Sequence, residues 1–138
     1  MTVVDTSVWI DLFAGRDTPQ VTFLESLIER KEDICICGVI LTEVLQGIRD
    51  EKEYSDTESM LGNLLFLSMS RETFLLAATI YRALRARGLT IRNSVDCSMI
   101  AAVCIENEIR LLHNDRDFDL LAAHSELEVV DISARQEE

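Results

Sequence analysis

Thr2-Val3-Val4-Asp5-Thr6-Ser7 begins with residues that suit a buried strand, stops that strand on an acid, and follows it with two hydroxyl residues able to cap a helix. The helix expected next carries Val8, Trp9, Leu12 and Phe13 toward a core and ends at Gly15. The same alternation runs along the chain. Asp17-Thr18-Pro19 starts a second helix, with an apolar stripe of Val21, Phe23, Leu24, Leu27 and Ile28. Ile34-Cys35-Ile36-Cys37 is a second buried strand, closed by Gly38. Helices are predicted over residues 39–50 and 54–64, with a short strand at Leu65-Phe66-Leu67. Ser70 opens the longest helix, which reaches Gly88. Ser94 caps another over residues 95–107. Residues 109–112 form a strand, residues 113–119 a loop and residues 127–130 a last strand.

Strands alternating with helices predict an α/β fold: one α/β/α sandwich around a central, mainly parallel sheet. The 138 residues suit one domain over 1–138, with residues 132–138 as a tail. No apolar stretch approaches the ~20 residues of a membrane span. Asp5 and Asp11 interrupt the place where a signal peptide needs its apolar segment, so a cytoplasmic location is expected. The four cysteines read as small buried hydrophobes: Cys35 and Cys37 alternate in an apolar run, and Cys97 and Cys104 share a helix face.

In such a fold ligands bind at the carboxyl ends of the strands. Asp5 ends the first strand, Glu43 follows the second on the outgoing helix, and Asp115 follows the strand at 109–112. Asp96 falls in the first turn of a helix that starts near the same edge. Four acids remote in sequence are thus expected at one edge. Each alone has an ordinary explanation: helix cap for Asp5, solvated helix margin for Glu43, dipole partner for Asp96, turn residue for Asp115. Grouped carboxylates repel one another, and an all-oxygen donor set suits Mg²⁺ or Mn²⁺. Metal-assisted phosphodiester hydrolysis is the reaction class that follows.

The net charge of −12 argues against general nucleic-acid affinity. The charge is uneven, however. Residues 73–95 contain no acid but hold Arg82, Arg85, Arg87 and Arg92, a candidate RNA-docking stretch whose alternative is pairing with the protein's own acids. His113 and His124 are read as structural or exposed.

Four blocks then carry a family resemblance: Val3-Val4-Asp5-Thr6-Ser7, Leu41-Thr42-Glu43-Val44-Leu45-Gln46-Gly47, Ser94-Val95-Asp96-Cys97-Ser98-Met99-Ile100-Ala101-Ala102 and Leu111-Leu112-His113-Asn114-Asp115-Arg116-Asp117-Phe118. In order and spacing they resemble the PIN-domain family, and within it the VapC-type toxins of prokaryotic toxin–antitoxin pairs, over nearly the whole chain. The resemblance implies an endoribonuclease dependent on Mg²⁺ or Mn²⁺, with Asp5, Glu43, Asp96 and Asp115 as the catalytic, metal-holding set. It makes Asp117 an accessory acid and Thr6 and Asn114 polar supports. It further implies structured RNA targets, often tRNA, a homodimer and a cognate antitoxin protein. The helices at 6–14 and 19–31 are candidates to offer that antitoxin an apolar groove. The strongly acidic balance departs from a general RNA binder and favours a narrow substrate.

Two other readings remain open from the residues. A haloacid-dehalogenase-like phosphatase or phosphotransferase also places aspartate after its first strand but needs a second one two positions on, where this chain has Ser7. A non-catalytic interaction module is the other, opposed by the completeness of the acid set.

Overall fold

A computed structural model of the chain describes residues 1–132. The strands are β1 (Thr2–Val4), β2 (Ile34–Cys37), β3 (Leu65–Leu67) and β4 (Arg110–Leu112). The helices are α1 (Thr6–Phe13), α2 (Pro19–Glu29), α3 (Gly38–Gln46), α4 (Glu51–Leu61), α5 (Arg71–Ala86), α6 (Ser94–Asn107) and α7 (Arg116–Ala123). The strands form one sheet in the order β3-β2-β1-β4, all pairs parallel. The expected α/β architecture is present, a parallel sheet flanked by helices. Of the tail expected at 132–138, residues 133–138 lie outside the described residues.

Parallel strands covered on both faces should be continuously apolar. Val3, Val4, Cys35, Cys37, Leu111 and Leu112 are fully buried, and Ile36 nearly so. All four cysteines are free and buried, as small hydrophobes should be. Trp9 is buried as expected, its indole N–H donating to the Val4 carbonyl at 3.1 Å. The central helix α6 buries most of its circumference, from Cys97 and Ser98 through Ala101, Ala102 and Cys104. Its small residues let α5 and the sheet approach closely. At the outer edge, β3 leaves Leu65 and Phe66 exposed.

Several local expectations are corrected. Asp5, not Thr6 or Ser7, caps α1, since its carboxylate accepts the Ser7 N–H. Phe13, the last residue of α1, is exposed, with its ring stacked on the outer side of Trp9. Ile28 is also exposed, at the far end of its stripe. Helix α3 stops at Gln46, before Gly47, and α4 starts at Glu51 because Asp50 accepts the Glu53 N–H. Asn93 occupies the N-cap position of α6, so Ser94 lies within the helix. The expected loop at 113–119 contains the start of α7, capped by Asp115. The expected strand at 127–130 reduces to one parallel bridge, Val129 beside Leu111, held by two backbone hydrogen bonds. No helix among the described residues is long and apolar enough to cross a membrane.

Candidate active site

The carboxyl ends of β1, β2 and β4 fall level in the sheet, and the Asp5 N–H extends the ladder by donating to the Leu112 carbonyl at 2.9 Å. This brings the first turns after three strands together. Asp5, Glu43, Asp96 and Asp115 all line one cavity of about 170 Å³, with Thr6, Ser7, Asn93, Cys97, Ile100 and Phe118. The structure therefore gathers the four acids that were singled out from the sequence.

Three of the four are oriented through one oxygen. Asp5 Oδ2 accepts from the Ser7 N–H at 3.0 Å and from Ser7 Oγ at 2.6 Å. Glu43 Oε1 accepts from Thr6 Oγ1 at 2.8 Å. Asp115 Oδ1 accepts from the Asp117 N–H at 3.0 Å. The second oxygen of Asp5 and of Asp115 lies outside these bonds. Helix capping and site building are thus the same act for Asp5 and Asp115: the cap fixes one oxygen and leaves its twin for chemistry.

Burial pushes the Asp5 carboxyl up from its ordinary value, against the Ser7 bonds that favour its anion. Burial does the same to Glu43; the Thr6 bond opposes it and the adjoining Asp96 carboxyl adds to it, leaving Glu43 at about 7. Cys97 lies in the same cavity, and burial, reinforced by Asp115, holds its thiol protonated well above the usual range.

Ligand-type atoms of Cys97, Asp115 and Asp117 lie within 4.8 Å of one another, a tighter group than the four acids form. Asp117 is therefore beside the cavity, and its Oδ2 also accepts the Arg92 N–H at 3.0 Å. Among the described residues, the Asn114 side chain makes no hydrogen bond to the four acids. Its amide donates to Asp11 Oδ2 at 3.1 Å and its N–H to Ser7 Oγ at 3.0 Å, so it braces the loop against α1.

Arg82, Arg85, Arg87 and Arg92 are all exposed, and among the described residues none makes an ion pair. The Arg85 guanidinium lies over the Tyr81 ring at 5.8 Å. Arg87 and Arg92 flank the turn at Gly88, whose φ of +74° requires glycine's freedom.

Sequence reasoning passed over Ser7, Asp11 and Cys97. Ser7 links Asp5 to the Asn114 backbone, and Asp11 is buried on α1, paired with Arg16 at 2.8 Å. The signal for Asp11, an aspartate beside the apolar stripe of a short helix, marks its burial but not its partner.

A family profile described as PIN domain matches residues 2–124. VapC ribonuclease Mb1587 of Mycobacterium bovis is 35% identical over 130 residues, covering 93% of this chain and 96% of the relative. Ribonuclease VapC11 of Mycobacterium tuberculosis is similar to the same extent. Among solved structures, VapBC2 from Rickettsia felis, bound to a DNA fragment from its promoter, aligns with a TM-score of 0.74 at 18% identity over 94% of this chain and 96% of that one. VapC20 of Mycobacterium tuberculosis, described as a sarcin–ricin loop cleaving toxin, aligns with a TM-score of 0.65 at 17% identity over 92% and 98%. On the profile and the 35% identity together, the chain belongs to the PIN-domain family, in its VapC group.

Proposed function

We propose that this protein is an endoribonuclease that works with a divalent cation, Mg²⁺ or Mn²⁺, held by Asp5, Glu43, Asp96 and Asp115, with Asp117 at the margin. The observation that carries the reading is the convergence of four carboxylates from remote segments on one cavity. The donor set fits a hard cation. It is all oxygen apart from a thiol that burial keeps protonated, and burial, with the Asp96 carboxyl alongside, raises Glu43 to about 7. When bound, such an ion acts as a Lewis acid toward phosphate and water.

The chain's own groups do the rest. Ser7 and Thr6 hold Asp5 and Glu43 in fixed orientation. Without a cation Glu43 is near its midpoint at neutral pH, so taking up the ion there would release a proton. The exposed Arg82, Arg85, Arg87 and Arg92, which make no ion pair among the described residues, offer phosphate contacts that lay an RNA backbone toward Asp96. Ser7 stands where haloacid-dehalogenase chemistry needs its second aspartate, and it instead steadies the first.

By the same reading the protein acts in the cytoplasm on structured RNA such as tRNA, as the toxin of a toxin–antitoxin pair. It forms a homodimer and is held in check by a cognate antitoxin. The test is cleavage of a tRNA pool by purified protein with Mn²⁺ or Mg²⁺. Cleavage that stops with chelator supports the reading; hydrolysis unchanged in excess chelator, in a preparation free of other nucleases, overturns it.

A further inference from the structure

The imidazole of His113 lies just after β4, almost wholly buried, and belongs to none of the groups that line the acid cavity. A ring nitrogen so placed is engaged from within the fold rather than by bulk solvent. Its Nδ1 accepts the backbone N–H of Asp115 at 3.1 Å. A nitrogen that accepts carries no proton, so the ring's hydrogen sits on Nε2, which lies 3.3 Å from Asp119 Oδ1. The ring also packs against Phe118, with centroids 5.3 Å apart. Phe118 is buried and lines the acid cavity.

We propose that His113 is a positioning residue that holds the Asp115 carboxylate in place at the cavity. Asp115 and Phe118 both belong to the start of α7, and one ring holds the first by a hydrogen bond and packs on the second. Asp115 needs this grip more than its partners do. Asp5 is fixed by the sheet ladder, and Glu43 and Asp96 ride within helices α3 and α6. Asp115 stands at a helix cap, with φ −140° and ψ 120°, where no helical hydrogen bond uses its own N–H. His113 supplies the acceptor that the N–H would otherwise lack. With the backbone fixed, the Asp115 side chain can cap α7 through Oδ1 and keep Oδ2 directed elsewhere. The functional consequence rests on the metal-dependent reading above; the clamp itself does not.

The experiment compares His113→Phe with His113→Asn. Phenylalanine keeps the packing on Phe118 but removes the acceptor. Asparagine places an oxygen about where Nδ1 stands. In metal-free protein, amide exchange at Asp115 should speed up at least about tenfold in His113→Phe and stay near wild type in His113→Asn. Mn²⁺ affinity measured by calorimetry should fall about tenfold in His113→Phe and recover to within about threefold in His113→Asn. Asp119→Ala, an exposed change that leaves the core intact, should speed Asp115 exchange severalfold, and Asp119→Asn should not. Unchanged exchange or unchanged Mn²⁺ affinity in His113→Phe, or no rescue by asparagine, overturns the proposal. If wild type binds no Mn²⁺ yet exchange behaves as expected, the clamp stands and the metal reading falls.

Discussion

Thr6 Oγ1 donates to Glu43 Oε1 at 2.8 Å, joining the first turn of α1 to the middle of α3 across 37 positions of sequence. This bond works against the burial and the Asp96 carboxyl that together push Glu43 up. It keeps that residue's proton removable near neutrality.

Thr6→Val removes the donor while nearly preserving shape. Glu43 should then titrate higher still, so the pH at which Mn²⁺ binding reaches half its maximum should move upward. Affinity at pH 7 should fall by about tenfold. Mn²⁺ titrations at several pH values measure both. An unmoved profile would mean that the Thr6 bond is incidental.

Asp96→Asn should abolish cleavage with the fold intact, because the cavity loses a negative ligand. Metal-free, the same change should stabilise the protein at pH 7.5 by about 1 kcal/mol, as relief of active-site crowding can. Glu25→Gln, on the exposed side of α2, is the control for net charge. Thermal unfolding of the two variants with and without Mn²⁺ decides the matter. Identical behaviour would mean that the acids do not act as one site.

The direction of pH dependence follows from Asp5 and Glu43. Both have folded pKa values raised above their unfolded ones, so the native state binds protons more tightly than the unfolded chain. Their contribution to stability is full below the unfolded values and is lost as pH rises through the folded ones, about 7 for Glu43. Metal-free protein should therefore unfold at higher temperature at pH 5.5 than at pH 7.5. Saturating Mn²⁺ should shrink or reverse that difference, because ligand binding stabilises the form it selects. A metal-free stability that rises with pH over this window would contradict the burial of these carboxyls.

Replacing Arg85 and Arg92 with glutamine should weaken RNA binding and flatten its salt dependence, with Mn²⁺ affinity unchanged. The slope of log affinity against log salt should drop by roughly one per lost phosphate contact. Their lack of ion pairs among the described residues motivates the choice. An unaltered slope would remove them from the RNA surface.

Ile10 and Phe13 are exposed side by side on the outer part of α1, where Trp9 is buried and stacks on Phe13 at 6.1 Å. Phe13→Asp should therefore reduce capture of an antitoxin co-expressed from the native operon while leaving RNA cleavage by the free protein intact. Undiminished capture would move the antitoxin surface off α1.

Sequence alone determined the order of strands and helices from β1 to β4, because period and punctuation are local properties. It also placed Asp5, Glu43, Asp96 and Asp115 at one sheet edge, because every parallel strand delivers its next residue to the same side. It could not decide the end of the chain, where residues 127–130 read as a strand but contribute one bridge. Nor could it find α7 within an apparent loop, since an Asn-Asp-Arg-Asp stretch suits a turn as well as a helix cap. The roles of Ser7, Asp11 and His113 were likewise beyond it. Each acts through a partner on another segment: Ser7 and Asp11 on Asn114, more than a hundred positions away, and His113 across a turn whose shape only packing fixes. A hydrogen bond depends on distance and angle, and those are set by how β1, β4 and their helices pack together. The tertiary structure therefore decided which oxygen of Asp5 and of Asp115 is tied down and which lies outside those bonds.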